Sequence, residues 1–223
     1  QQGALRRFVY VVRWHGVRPC RRANRRNGPI NYLAHIFLAG DHPEDWFGAL
    51  LGDFVKGPVG DDWAPRVAMG IRNHRRIDTF TDAHPAWQRS RDRFVPPARR
   101  FAGIAVDLMY DHYLATRWAD YHPATLPQYT QGVYAGLRAY SHLFPPRLER
   151  IFPSLSEHDW LASYVKFENI ERALTRMSGR TARSAGLLHT VEQARPLYDD
   201  MRGDFEWFFP DLVEYALGLR NND

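Results

Sequence analysis

The chain has 223 residues, 44% hydrophobic and 14% aromatic, which is a globular composition long enough for one substantial core. Its net charge of +5 is uneven: residues 1–30 hold eight arginines and no acid, and the remainder carries 22 basic against 25 acidic side chains, net −3. That split removes the main support for general nucleic-acid binding. The single cysteine, Cys20, excludes an internal disulfide and a cysteine-based zinc site, and no apolar run nears the ~18 residues of a membrane span.

A reducing cytoplasm is therefore the default expectation. The leader, residues 1–30, is Arg-rich and acid-poor like a transit peptide, and "FVYVVRW" within it has the composition of a short strand. We read it as a disordered or non-native extension upstream of a true start near Ile30–Asn31; an arm that binds an acidic partner is the alternative. From residue 31 the text is helical. "NYLAHIFLAG" has apolar residues at helical spacing and stops at Gly40. The next helix opens on Pro43 with two acids behind it and is expected to stop near Gly57. A third runs from about Asp62 to Pro85, and a short fourth runs from Pro85 towards Pro96. Residues 98–121 read as one long helix and residues 126–144 as another. Residues 156–180 start on Ser156 as a cap, and residues 184–220 divide into two or three helices interrupted at Pro196 and Pro210. The expectation is one all-α domain of about eight helices over residues 31–223.

Polar residues punctuate these apolar helices in four places. His35 sits in "LAHIFLA", where a satisfied core histidine competes with a ligand. Asp53 follows a Leu-Leu pair between Gly52 and Gly57, where it is either paired with Lys56 or held by a metal. "IRNHRRIDTFTDAHP" places His74 and Asp78 four apart on one helix face, continues with Asp82, and ends at His84. That face either ligates one divalent cation or forms salt bridges with Arg72, Arg75 and Arg76. "AVDLMYDHYLATRW" holds Asp107, Asp111 and His112 inside a helix that is apolar nearly all round, where acids are costly unless paired or metal-bound. Imidazoles with carboxylates and no cysteine suit manganese, iron or magnesium better than structural zinc. Such a metal can activate water and neutralise a phosphate, with neighbouring arginines holding phosphate oxygens. The residues alone point to a metal-dependent phosphoester hydrolase.

Taken together, "NYLAHIFLA", "ALLGDFVKG", "GIRNHRRIDTFTDAHP" and "DLMYDHYLATRW" resemble the acyl carrier protein phosphodiesterase family. The motifs lie within residues 31–118; beyond them only helical character and length match. The resemblance implies hydrolysis of the phosphodiester between 4′-phosphopantetheine and a serine of holo acyl carrier protein. It implies dependence on Mn2+, with Mg2+ or Fe2+ as alternatives, and distant kinship with the all-α HD phosphohydrolases. Family members commonly begin at a methionine where Ile30 stands here, in line with reading residues 1–30 as an extension. In HD terms His35 is the first histidine and Asp53 the acid of the His-Asp pair, but the histidine of that pair is Gly52 here. His74 or His112 would have to substitute, and Asp107 or Asp111 would supply the later acid. The implied ligand set is Asp53, His74, Asp78, Asp111 and His112, with His35 and Asp107 as further candidates. Arg75 or Arg76 would offset developing charge, and His84 or a carboxylate would handle protons. An acidic carrier protein needs a basic docking surface, for which "RSRDRFVPPARR" offers Arg89, Arg91, Arg93, Arg99 and Arg100. Two other readings compete: a phosphohydrolase of nucleotides or other small phosphoesters, and a non-enzymatic helical binding module whose acids and histidines form structural networks.

Overall fold

The computed structural model describes residues 31–179 and 182–221. The leader, its strand expectation and Cys20 lie outside them. The described residues form one all-helical domain with no strand. There are eleven α-helices where about eight were expected, together with four short 3-10 turns.

α1 (Tyr32–Ala39) ends at Gly40, whose φ of 111° is a conformation glycine adopts without strain. α2 (Pro43–Leu51) starts on Pro43 with Glu44 and Asp45 in its first turn, and the His42 side chain accepts the Glu44 N–H. It ends at Leu51, earlier than expected, so Asp53 lies in the turn beyond. α3 (Pro65–Ala83) starts three residues after Asp62 because Pro65, with its fixed φ, takes the first helical position. α2 and α3 approach backbone to backbone. A Cβ on Gly48 would lie 2.5 Å from the Val67 carbonyl oxygen, and one on Gly70 would lie 2.8 Å from the Gly48 Cα. Only glycine permits that separation, and it sets α3 against the end of α2.

α4 (Pro85–Asp92) is capped by His84. The expected long helix over residues 98–121 is three pieces: a 3-10 turn, α5 (Ala102–Thr116), and a second 3-10 turn at Trp118–Asp120. α5 is buried on nearly every side and contacts α1, α4, α9, α10 and α11. α6 (Leu126–Arg138) opens with a capping box between Thr125 and Gln128.

Pro146 does not only close a helix; it opens another, α7 (Pro146–Glu157), which buries Leu148, Phe152 and Leu155. Ser156 therefore lies in the last turn of α7 and is not a cap. α8 (Trp160–Ser163) is capped instead by Asp159, and α9 is Phe167–Ser178. α10 (Leu188–Ala194) precedes Pro196, while α11 (Tyr198–Asn221) passes straight through Pro210. Proline inside a helix costs about 3 kcal/mol. Around Pro210 the burial of Phe205, Phe208, Phe209 and Leu212 outweighs it at about 1.5–3 kcal/mol per side chain.

Beneath α4 the fully buried Asp204 of α11 accepts from Arg89, from Arg93 Nε at 3.2 Å and from Ser90 Oγ at 2.8 Å. This network ties α11 to α4 and so places α11 beside α1 and α3.

Candidate metal centre

The C-terminal end of α2, the middle of α3 and the start of α1 meet at one polar cluster. His35 and His74 are each 2% exposed, and their rings stack with centroids 3.8 Å apart and planes 18° apart. Both direct Nε2 at Asp78: His35 Nε2 lies 3.3 Å from Asp78 Oδ1 and His74 Nε2 lies 3.6 Å from Asp78 Oδ2. Ligand atoms of His35, His74 and Asp78 all fall within 4.8 Å of one another. Asp53 adjoins them, with Oδ1 3.8 Å from His74 Nε2. The expected Asp53–Lys56 side-chain pair does not form; Lys56 Nζ donates to the Asp53 backbone carbonyl at 2.8 Å.

The arrangement fits a divalent cation on chemical grounds. Two stacked imidazoles cannot both be charged without repulsion, whereas two neutral Nε2 atoms beside carboxylates form a mixed donor set. Asp53 Oδ2 is buried with no hydrogen-bond partner among the described residues, a cost that a bound ion offsets. Electrostatics agree. Burial pushes Asp53 up to about 6, opposed mainly by His35 and reinforced by Asp78. Burial alone would lower His35, but the Asp78 hydrogen bond and the charges of Asp78, Asp53 and Asp111 reverse it, and the net shift is upward.

The Gly52 position has a physical reason. A Cβ there would sit 2.2 Å from Cγ of His74, so the His74 ring fills the space any side chain at 52 would need. The imidazole at this end of α2 comes from α3.

Asp111 lies under α1, where Oδ2 accepts from Leu33 N at 3.0 Å and Oδ1 from Ala34 N at 2.9 Å. Asn31 makes no cap bond, so Asp111 on α5 satisfies the orphan N–H groups of α1. Burial pushes Asp111 up to about 7 even so. Asp107 accepts from Trp87 Nε1 at 2.9 Å. His112 is not brought to the cluster: Nδ1 donates to the Tyr164 carbonyl at 2.7 Å, and Nε2 accepts from the Tyr198 hydroxyl at 2.8 Å. His84 uses Nδ1 to accept from Ala86 N at 3.2 Å, and its Nε2 meets Asp211 at 3.2 Å. Arg75 donates to the carbonyls of Gly57 at 2.7 Å and Val55 at 2.9 Å, which pins the loop after α2, and Arg76 donates to Asn73 Oδ1 at 3.2 Å. In the expected docking patch, Arg89 and Arg93 bind Asp204, Arg91 and Arg99 share Asp92, and Arg100 stacks over Phe101 at 4.7 Å.

One cation went unnoticed in the sequence. The Arg147 guanidinium lies 5.5 Å from the ring centroid of Phe54, one residue from Asp53, and its charge lowers the Asp53 pKa. Arg147 sits in the first turn of α7, the helix whose start the text concealed.

The family profile described as acyl carrier protein phosphodiesterase matches residues 30–212. This chain belongs to the acyl carrier protein phosphodiesterase family. Relatives named acyl carrier protein phosphodiesterase include one from Serratia proteamaculans (strain 568), 32% identical over 188 residues, covering 84% of this chain and 97% of the relative. One from Klebsiella pneumoniae (strain 342) is 33% identical, with the same 84% and 97% coverage. One from Escherichia coli O45:K1 (strain S88 / ExPEC) is 33% identical over 190 residues, again with 84% and 97% coverage. No solved structure matches the chain significantly. Helices are the regular structure of the described residues, and none of them is long and apolar enough to cross a membrane.

Proposed function

We propose that this chain hydrolyses the phosphodiester linking 4′-phosphopantetheine to serine of holo acyl carrier protein, using a divalent cation held by His35, His74 and Asp78 with Asp53 beside them. The observation that carries the metal centre is the convergence of both Nε2 atoms on Asp78. The family relationship carries the substrate. Mn2+ is the preferred ion, with Mg2+ or Fe2+ accepted by the same donors. When bound, the cation would lower the pKa of water and offset phosphate charge.

The chain's own residues do the rest. Asp111 fixes the N-terminus of α1 and so the aim of His35. Gly52 admits the His74 ring. Lys56 and Arg147, on the Asp53 side, supply positive charge for the phosphoryl oxygens, a task Arg75 cannot share while it holds two backbone carbonyls. Kinship with the HD phosphohydrolases belongs to the same proposal. Its support is the helical fold, His35 on α1, Asp53 after α2 and Asp111 on α5, with His74 in the space of the missing pair histidine. For the carrier protein, Arg91, Arg99 and Arg100 remain surface candidates.

Cleavage in isotopically heavy water tests the chemistry. Attack at phosphorus puts the heavy oxygen on 4′-phosphopantetheine and none on the carrier serine. Label on the carrier, or turnover of nucleotides and not of the carrier, would overturn the proposal.

A further inference from the structure

A cleft of about 390 Å³ opens beside the cluster, with His35 and His74 among its lining residues. That size is near the lower end of the roughly 300–1,000 Å³ of small-molecule sites, and far too small for a folded protein partner. α1, α2, α3 and α11 wall it. The lining is largely short and aliphatic, with Leu38, Ala49, Met69, Ala216 and Leu219. Asn73 is its neutral polar group; Oδ1 accepts from Arg76, which leaves the NH2 as the donor for an amide carbonyl. Among the described lining residues the Asp, Glu, Lys and Arg side chains are Arg220 and the pair Arg66–Asp45, closed by two bonds of 2.7 Å. Gly40 lets Arg220 approach: a Cβ there would lie 2.9 Å from Nη1. Among the described residues no Phe, Tyr or Trp lines the cleft, so none of them offers it an aromatic face for stacking a nucleobase.

We propose that this cleft is the subsite for the pantetheine arm of the substrate, a neutral chain of short aliphatic segments joined by amides. The proposal rests on the phosphodiesterase reading above. A phosphate at the cluster leaves its arm only a short path into the cleft, while the carrier protein stays at the mouth. Short aliphatic walls match the methylene and branched-methyl segments, and Asn73 matches an amide. The same lining disfavours a nucleotide.

The test uses pantetheine without its phosphate, so that binding is independent of the metal cluster. Ligand-observed NMR measures its affinity for the full chain, for Asp78→Asn, and for Met69→Trp, which fills the cleft from a half-buried position. Pantetheine should bind wild type and Asp78→Asn alike and bind Met69→Trp about tenfold more weakly or worse. Met69→Trp should also raise KM for holo carrier protein with kcat little changed. Ala39→Trp, on α1 and also half-buried, gives the same reading if Met69→Trp unfolds. If wild type cleaves the carrier but pantetheine binding ignores both tryptophans, or is absent, the subsite is wrong and the phosphodiesterase reading survives. If pantetheine binds and Met69→Trp expels it, but the carrier keeps its prosthetic group, the subsite stands and the assigned reaction falls.

Discussion

His35, His74 and Asp78 form the smallest unit of this account, and their placement makes two predictions. Removing one donor should abolish tight manganese binding. Asp78→Asn keeps the shape and loses the charge both histidines face, so activity should fall about 100-fold or more, at or beyond the range for disturbed metal shells. Calorimetric manganese titration reads the affinity directly; unchanged affinity would place the ion elsewhere. The second prediction concerns pH. Asp53 is held up to about 6 and Asp111 to about 7, both above the ordinary 3.8. A raised folded pKa gives stability that is complete below the unfolded value and is lost as pH rises through the folded one. His35 is raised too, so its contribution has the same sign. Metal-free protein should therefore lose stability from about pH 4 to pH 7, and Asp53→Asn should flatten that loss, stabilising the chelated protein at pH 8 by on the order of 1–3 kcal/mol. Denaturant melts across pH with chelator present test it; a steeper loss in Asp53→Asn would contradict it. These residues were visible in the text because acids and imidazoles in apolar helices are costly. Their partners were not. His112 carries the same local signal as His74, and only the distant Tyr164 and Tyr198 decide that it faces another way.

The helices place these side chains through close backbone contact. Gly48→Ala and Gly52→Ala are the same chemical change with different expected readouts. At Gly48 the new methyl meets backbone, the Val67 carbonyl, and α2 and α3 must part. Stability should fall by about 1–3 kcal/mol or more. At Gly52 the methyl meets the His74 ring. That ring must leave the cluster, so manganese affinity and turnover should fall more than thermal stability does. Matched melts and metal titrations of the two variants separate these cases; equal losses in both would remove the special role of Gly52. Helix starts were legible wherever a proline stood first with acids behind it, as at Pro43. Pro146 hid its helix because the preceding Pro145 and the end of α6 made the pair look like a terminator. Pro210 misled in the other direction. Proline forbids one hydrogen bond locally, but three buried phenylalanines and a leucine hold α11 through it, and that packing comes from helices far away in sequence.

For the whole molecule, fold class and reaction class were readable early, because helical periodicity and the four motifs are local properties. The cleft was not. It is assembled from α1, α2, α3 and the last turns of α11, with Ala216, Leu219 and Arg220 lying more than 130 positions beyond the nearest other lining residue, Ile77. The docking surface also changed character. Arginines that look free in sequence are spent partly on Asp204 and Asp92, so the field outside them is weaker than their number implies. The measurement that reaches the central claim most directly is the intact mass of holo acyl carrier protein after incubation with the chain, with manganese, with chelator, and with Asp78→Asn in place of wild type. Loss of the phosphopantetheinyl mass is expected only for wild type with manganese. Loss in chelator, or with Asp78→Asn at the wild-type rate, would contradict it, as would a carrier left intact by manganese-loaded wild type.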